Sequence, residues 1–193
     1  MFAELLRQRL ERVVELSTFQ VAQLESHFEL LTRWNRVLNL TSVRGIEEIV
    51  ERHYCESLFL AKHLPSGTLR VADIGSGAGF PGFPVAVLRP ECNVTLIESH
   101  QRKSVFLREV SRHLTNIKVI AKRAESIEER FDWAISRAVK YSDISEPVSA
   151  LATHFGLLAG VEPPSETCFT WNNPIRVPWG ATRFLWLGKR CFT

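Results

Sequence analysis

The run Val71-Ala72-Asp73-Ile74-Gly75-Ser76-Gly77-Ala78-Gly79-Phe80-Pro81-Gly82 constrains the fold of this 193-residue chain more than any other segment. Its apolar first part reads as a buried strand, and the glycines after it read as a tight loop that opens a helix. Glycine at such a turn lets the backbone approach a ligand closely and leaves helix-start N–H groups facing it. A strand handed to a helix in this way is a building block of a parallel sheet covered on both faces.

The rest of the chain divides around that block. Up to about Leu64 the pattern is helical: Phe2, Leu6, Leu10 and Val13 share one stripe, and Leu24, Phe28, Leu31 and Leu38 share another. Ser17 with Gln20 three residues on predicts a capping box between them. A further helix is expected over 46–63, ahead of the turn Pro65-Ser66-Gly67. From Leu69 the rhythm changes. Strands are expected over 69–74, 93–98, 117–120, 132–135 and 155–160, with helices over 83–88, 100–113 and 142–154. The tail departs again, because 168–171 and 183–187 are β-prone runs joined by an Asn/Pro/Gly-rich connection and read as an antiparallel pair. The expected organisation is an N-terminal helical subdomain, 1–66, followed by an α/β, Rossmann-like domain, 67–193, with a mostly parallel sheet.

Two registers compete for the glycine loop. Gly77-Ala78-Gly79-Phe80-Pro81-Gly82 satisfies the G-x-G-x-x-G pattern of dinucleotide enzymes, which leaves a nicotinamide-dependent oxidoreductase as an alternative. Asp73, placed before Gly75, favours S-adenosylmethionine. Its carboxylate can meet the methionine ammonium directly or through water, and it would repel a pyrophosphate. Glu98 closes the next apolar run, where a carboxylate accepts hydrogen bonds from ribose hydroxyls; otherwise it is a surface acid that opens a helix. Lys122-Arg123-Ala124-Glu125 follows the third strand, where backbone groups and a side-chain acceptor can recognise an adenine edge, although Glu125 alone would be an ordinary helix-start acid. Arg137, in the exit of the fourth strand, suits a carboxylate or a phosphate, and equally a structural ion pair.

Composition narrows the class without choosing the reaction. A hydrophobic content of 45% supports a substantial core, and a net charge of +3 with a pI near 8.8 permits a polyanionic partner without requiring one. The charge is uneven: Arg102, Lys103, Arg108, Arg112, Lys118, Lys122 and Arg123 face a single acid, Glu109, in a run that is either a solvated helix face or a phosphate contact. Cys55, Cys92, Cys168 and Cys191 are scattered and suggest neither zinc nor disulfides. The charged first sixteen residues do not resemble a signal peptide, and no run approaches the roughly 20 apolar residues of a membrane span, so a cytoplasmic protein is expected.

Longer motifs carry a more specific resemblance. Trp34-Asn35-Arg36-Val37-Leu38-Asn39-Leu40-Thr41-Ser42 resembles a W-N-x-x-x-N-L-T signature, and Arg52-His53-Tyr54-Cys55-Glu56-Ser57 resembles R-H-x-x-D-S, with Glu56 for the usual Asp. Asp73 to Pro84 follows D-x-G-x-G-x-G-x-P-G-x-P, and Ser136-Arg137-Ala138 follows S-R-A. In this order the motifs resemble the small-subunit ribosomal RNA methyltransferase G family, also called glucose-inhibited division protein B, over about residues 20 to 150. The resemblance implies a class I S-adenosylmethionine-dependent methyltransferase fold. It also implies methyl transfer to N7 of a guanine in the 530 loop of 16S ribosomal RNA, conventionally position 527, with that RNA or a small-subunit precursor as partner. Carried over by position, Gly75 and Phe80 stand at the cofactor loop, where Asp73, Gly77 and Gly79 are the further candidates for cofactor binding. Glu98, Ser99 and His100 meet the ribose, Ala124 and Glu125 the adenine, and Arg137 the methionine end. Arg137 is the candidate beside the reacting group, and no base or metal ligand is assigned. His53 is the histidine to watch, with a role in fixing the N-terminal helices to the sheet as its plainer reading.

The resemblance fades beyond Ala150. Residues 161–167 include Pro163 and Pro164, which cannot form the helix this architecture normally places there, and no basic strand-end motif stands near 158–160. Trp171, Trp179 and Trp186 could stack on bases, but burial is the expectation. A non-catalytic RNA- or ribosome-binding relative is therefore the third reading.

Overall fold

The computed structural model describes residues 1–162, 164 and 168–191. The apolar stripes of the first segment become α1, Phe2–Leu10, and α2, Thr18–Leu38, which bury Phe2, Leu6 and Leu10 in one cluster with Leu24 and Leu31. The capping box forms in both directions: Ser17 Oγ accepts the Gln20 N–H at 3.2 Å and Gln20 Oε1 accepts the Ser17 N–H at 2.9 Å. Asn39, left-handed at φ 47°, ends α2 and turns the chain into 40–45. The helix expected over 46–63 is continuous but not uniform. It runs as α3, Ile46–Ile49, a wider π-helical stretch, Val50–Cys55, and α4, Glu56–His63. The π stretch buries His53, Tyr54 and Cys55, and Glu56 and Ser57 follow at 0% exposure.

The sheet has the order β3-β2-β1-β4-β5-β8-β6, with β7 paired on β8. β1 (Arg70–Ile74), β2 (Asn93–Ile97), β3 (Ile117–Ile120), β4 (Phe131–Arg137) and β5 (Ala152–Ala159) are parallel. β8 (Phe184–Arg190) inserts antiparallel between β5 and β6 (Phe169–Trp171), which realises the expected tail pair; β7 is Ile175–Arg176. Helices α5 (Gly82–Leu88), α6 (Gln101–Val110) and α7 (Tyr141–Leu151) connect the strands. One expectation fails. The helix read over 142–154 stops at Leu151, and Ala152 and His154 pair with Phe131 and Trp133 of β4, His154 stacking on the Trp133 ring at 4.9 Å.

The two sheet faces have different covers. Helices α1 to α5 pack with Val71, Val94, Leu96 and Ile135 into one core that reaches Val177 and Leu185, and a second core behind α7 gathers Ala72, Ile74, Ala134, Phe155 and Trp186. A leucine buried as completely as Leu24 or Leu58 contributes about 1.5–3 kcal/mol. The tryptophans join this packing as expected: Trp186 Nε1 donates to Gly160 O at 3.0 Å, Trp179 Nε1 to Arg9 O at 3.2 Å, and Trp171 lies against Gly188. Of the proline-containing stretch, Pro163 and 165–167 lie outside the described residues. No helix among the described residues is long and apolar enough to cross a membrane.

Candidate active site

Gly75 adopts φ 71°, and a Cβ there would come within 2.7 Å of Val139 Cγ2, so the chain can pass between β1 and the β4 exit only as glycine. Its N–H and that of Ser76 bond Ile97 O at 2.9 and 3.1 Å, tying the loop to the end of β2. Glu98 then spans the gap: Oε2 accepts the Gly77 N–H at 2.9 Å and Oε1 the His100 N–H at 2.8 Å. Gly82 serves packing instead. A Cβ there would sit 2.4 Å from Leu96 Cδ2 and 2.6 Å from Asp73 Oδ2.

Two cavities flank this loop at the C-terminal ends of the strands, where open α/β sheets place their ligands. The first, about 430 Å³, is lined by Leu40–Val43 (residues 40–43), Arg52, His53, Gly75 to Ala78, Phe80, Glu98, Lys103 and Arg137 to Val139. The second, about 280 Å³, is lined by Ile74, Gly75, Ile97, Ser99, residues 122–125, Val139, Asp143 and Ile144. They share Gly75 and Val139. Of the residues expected at the site, Gly75, Gly77, Phe80, Glu98 and Arg137 meet at the first cavity, and Gly75, Ser99, Ala124 and Glu125 at the second.

Asp73 stands elsewhere than expected. It is fully buried beneath the loop, on neither cavity wall; Oδ2 accepts the Gly82 N–H at 2.9 Å and Oδ1 has no hydrogen-bond partner. Burial raises its carboxyl pKa to about 7, against the opposing Gly82 hydrogen bond. Gly79 packs under His27 and Phe83, and the exposed His100 side chain lines neither cavity, only its N–H joining the site through Glu98.

The wall of the first cavity is a connected set of polar groups. Arg137 Nη1 donates to His53 Nδ1, which fixes Nε2 as the protonated nitrogen, donating to Thr41 Oγ1 at 2.7 Å. Thr41 Oγ1 also accepts the Val43 N–H at 3.1 Å, and Asn35 clasps Thr41 through Nδ2 to O at 3.1 Å and through Oδ1 from N at 2.9 Å. His53 lies flat on Phe80, with ring centroids 4.7 Å apart. Burial, then the Arg137 charge, lowers its pKa to about 2, so the ring is neutral. Below it, His27 Nε2 donates to Ala78 O at 3.0 Å and Nδ1 accepts from Tyr54 OH at 2.7 Å; burial lowers its pKa to about 3.

Residues 20–157 match the family model described as GidB, rRNA small subunit methyltransferase G. The chain belongs to that family. Ribosomal RNA small subunit methyltransferase G of Chromobacterium violaceum is 40% identical over 148 residues, covering 75% of this chain and 69% of the relative. The Xanthomonas campestris pv. campestris protein of that name is 44% identical over 122 residues, 61% of this chain and 57% of the relative. The matched segments thus span between 57 and 69% of these relatives' lengths. A SAM-dependent methyltransferase from Aquifex aeolicus superposes with a TM-score of 0.59 at 13% identity, over 75% of this chain and 93% of its own, a likeness of fold.

The methyltransferase G motifs thereby acquire physical content. The W-N-x-x-x-N-L-T segment supplies the Asn35 clasp, the left-handed turn at Asn39, the buried Leu40 and the Thr41 hydroxyl; R-H-x-x-E-S supplies His53 and Glu56. Sequence reading passed over His27, although it sits within the Leu24 and Leu31 stripe, where a buried imidazole announces a polar partner. The basic run divides: Lys103 lines the first cavity and Lys122 and Arg123 the second, Arg108 is exposed on α6 and Arg112 in the turn after it, and Lys118 pairs with Glu129.

Proposed function

We propose that this chain transfers the methyl group of S-adenosylmethionine to N7 of a guanine in 16S ribosomal RNA, at the 530-loop position its family resemblance implies. The observation that carries the reading is Glu98, held on two backbone N–H groups across the glycine loop and lining the cavity with its remaining lone pairs. A carboxylate so placed suits the hydroxyls of a ribose, a feature that dinucleotide enzymes share, and membership of a methyltransferase family favours the methyl donor over the dinucleotide register. The cavities on either side of Gly75 suit a ligand with two unlike ends, an amino acid near Arg137 and a purine near Ala124 and Glu125.

S-adenosylmethionine supplies a methyl group activated by its sulfonium sulfur, which leaves as the neutral thioether. Guanine N7 attacks with an in-plane lone pair and carries no proton to remove, so the chain needs no general base. His53 fits this economy: it is neutral, its Nδ1 is occupied by Arg137 and its Nε2–H by Thr41, and it orients rather than transfers protons. The residues act by holding the reactants in line, an effect worth roughly 7–11 kcal/mol when alignment is good. Lys103 and Arg52 at the mouth offer the cations an RNA phosphate requires.

The test is transfer of tritium from labelled S-adenosylmethionine to small subunits lacking the modification, with the methylated nucleotide mapped by cleavage at N7-methylguanine and primer extension. Label at the 530-loop guanine is expected. Binding of S-adenosylhomocysteine with no label in any RNA supports the non-catalytic relative instead, and binding of NADH without S-adenosylhomocysteine supports the oxidoreductase.

A further inference from the structure

Glu56 is fully buried between two arginines, and it treats them unequally. Arg183 takes both carboxylate oxygens, Nη2 donating to Oε2 at 3.0 Å and Nε to Oε1 at 3.3 Å, in the side-on fork that makes such pairs strong and directional. Arg137 stands further off, its Nε 3.6 Å from Oε2 and without a hydrogen-bond partner. One Arg137 N–H is committed to His53, and Arg137 is one of the residues that line the first cavity. Arg183 comes from the turn into β8, beyond residues 20–157 that match the family. The tail therefore reaches across the molecule to a carboxylate on α4, which in turn neighbours the arginine of the site.

We infer that Arg183 is a positioning residue for ligand binding: by occupying both oxygens of Glu56 it keeps that carboxylate from capturing the Arg137 fork, leaving Arg137 free to meet a ligand carboxylate in the first cavity. The inference rests on the S-adenosylmethionine reading above. Without Arg183, a buried and unpaired Glu56 draws Arg137 toward itself, since a buried charge needs a partner and Arg137 is the nearest cation. The end of the cavity that suits an amino-acid carboxylate is then lost while the purine end stands unchanged.

Calorimetry on the full chain with two ligands reads this directly. S-adenosylhomocysteine carries the amino-acid carboxylate; 5′-methylthioadenosine shares its adenosine and thioether and lacks that carboxylate. For Arg183→Leu the dissociation constant of S-adenosylhomocysteine is expected to rise about tenfold while that of 5′-methylthioadenosine stays within about twofold. In the double variant Glu56→Gln/Arg183→Leu, where no charge remains to capture Arg137, S-adenosylhomocysteine affinity is expected to recover most of that loss. Equal weakening of both ligands, no weakening of either, or no recovery in the double variant overturns the inference and gives Arg183 a purely structural role. If Arg183→Leu does not fold, Arg183→Lys, a single point charge in place of the fork, carries the same two-ligand test with the same sign. A wild-type chain that binds neither ligand overturns the cofactor reading itself, and this inference with it.

Discussion

The cavity bounded by Thr41, His53 and Arg137 and the cavity bounded by Ser99 and residues 122–125 meet at Gly75 and Val139, yet their walls differ in kind. In the first, Asn35, Thr41, His53 and one N–H of Arg137 form a connected chain of hydrogen bonds, and His27 with Tyr54 braces the Ala78 carbonyl from beneath. In the second, Ser99, Lys122, Arg123 and Glu125 are exposed and the short helical turn at Ala124–Ser126 has no side-chain cap. Preorganised groups exert their full effect on a ligand without paying to be ordered first, whereas exposed ones are screened and mobile. On the proposed reading, discrimination therefore belongs to the first wall, and the second offers a surface that a planar ring can cover.

The deepest way to break that contrast is His27→Phe. The ring would be kept near Phe83, but Tyr54 OH and Ala78 O, both taken from water, would lose their partner. Two buried unsatisfied groups cost about 2–5 kcal/mol together, measured as a fall in unfolding free energy in urea at pH 7. Adding Tyr54→Phe should return part of it, because the stranded hydroxyl is then gone. The pH dependence has a definite sign. A histidine whose folded pKa is lowered from 6.5 to about 3 contributes stability that is complete above 6.5 and lost as pH falls toward 3. His53, lowered to about 2, acts in the same direction. The variant should lose the His27 share of this acid sensitivity. A cost below about 1 kcal/mol would mean that the wall is not braced from below.

Glu98→Ala tests the anchor of the glycine loop at the first cavity. It removes the anchor of Gly77 N and His100 N together with the proposed ribose acceptor, and should weaken S-adenosylhomocysteine binding by about 1.5–3 kcal/mol in calorimetry. Unchanged affinity would remove Glu98 from the site.

Why Glu98 could be found in the sequence and His27 could not follows from the same contrast. Glu98 announces itself by chain order, closing the strand after the glycine loop, and its partners lie within the local turn and the loop before it. The alternation of apolar runs and helical stripes likewise sufficed for β1 to β5. It failed at Ala152–His154, where no Gly or Pro marks the end of α7 and the strand is made by its neighbours, Phe131 and Trp133 on β4 and Lys189 on β8. His27 meets a carbonyl 51 positions along the chain, and Glu56 an arginine 127 positions along. Such pairs exist only once the helices are docked. Asp73 is the intermediate case: its position at the strand end was readable, but a carboxylate there can face the ligand or the backbone of the next helix, and only the close approach of Gly82 decides.

Asp73→Asn sharpens that point with a smaller effect. The amide oxygen can still accept the Gly82 N–H, while the charge disappears. Because burial raises the folded pKa from 3.8 to about 7, the wild-type group stabilises fully below 3.8 and loses that contribution as pH rises through 7. The variant should gain on the wild type as pH rises from about 4 to above 7, the unpaired N–H donor adding a cost that does not change with pH. Thermal melts across that range measure it, and a difference that grows toward low pH would contradict the raised pKa.

Glu125 should give the smallest response, and for that reason it bears most directly on the contrast between the walls. Its side chain is exposed at the second cavity, so neither Glu125→Gln nor Glu125→Ala should move the melting temperature beyond the range of ordinary surface changes, within about 0.5 kcal/mol. Gln keeps an acceptor for an adenine amino group and should bind S-adenosylhomocysteine like the parent. Ala loses it and should bind about threefold more weakly, on the order of 0.7 kcal/mol. The hydrogen bond it removes is one that water can replace at an open edge. A loss as large as that for Glu98→Ala would place the adenine end under the same control as the buried wall, and the division of labour between the two cavities would not hold.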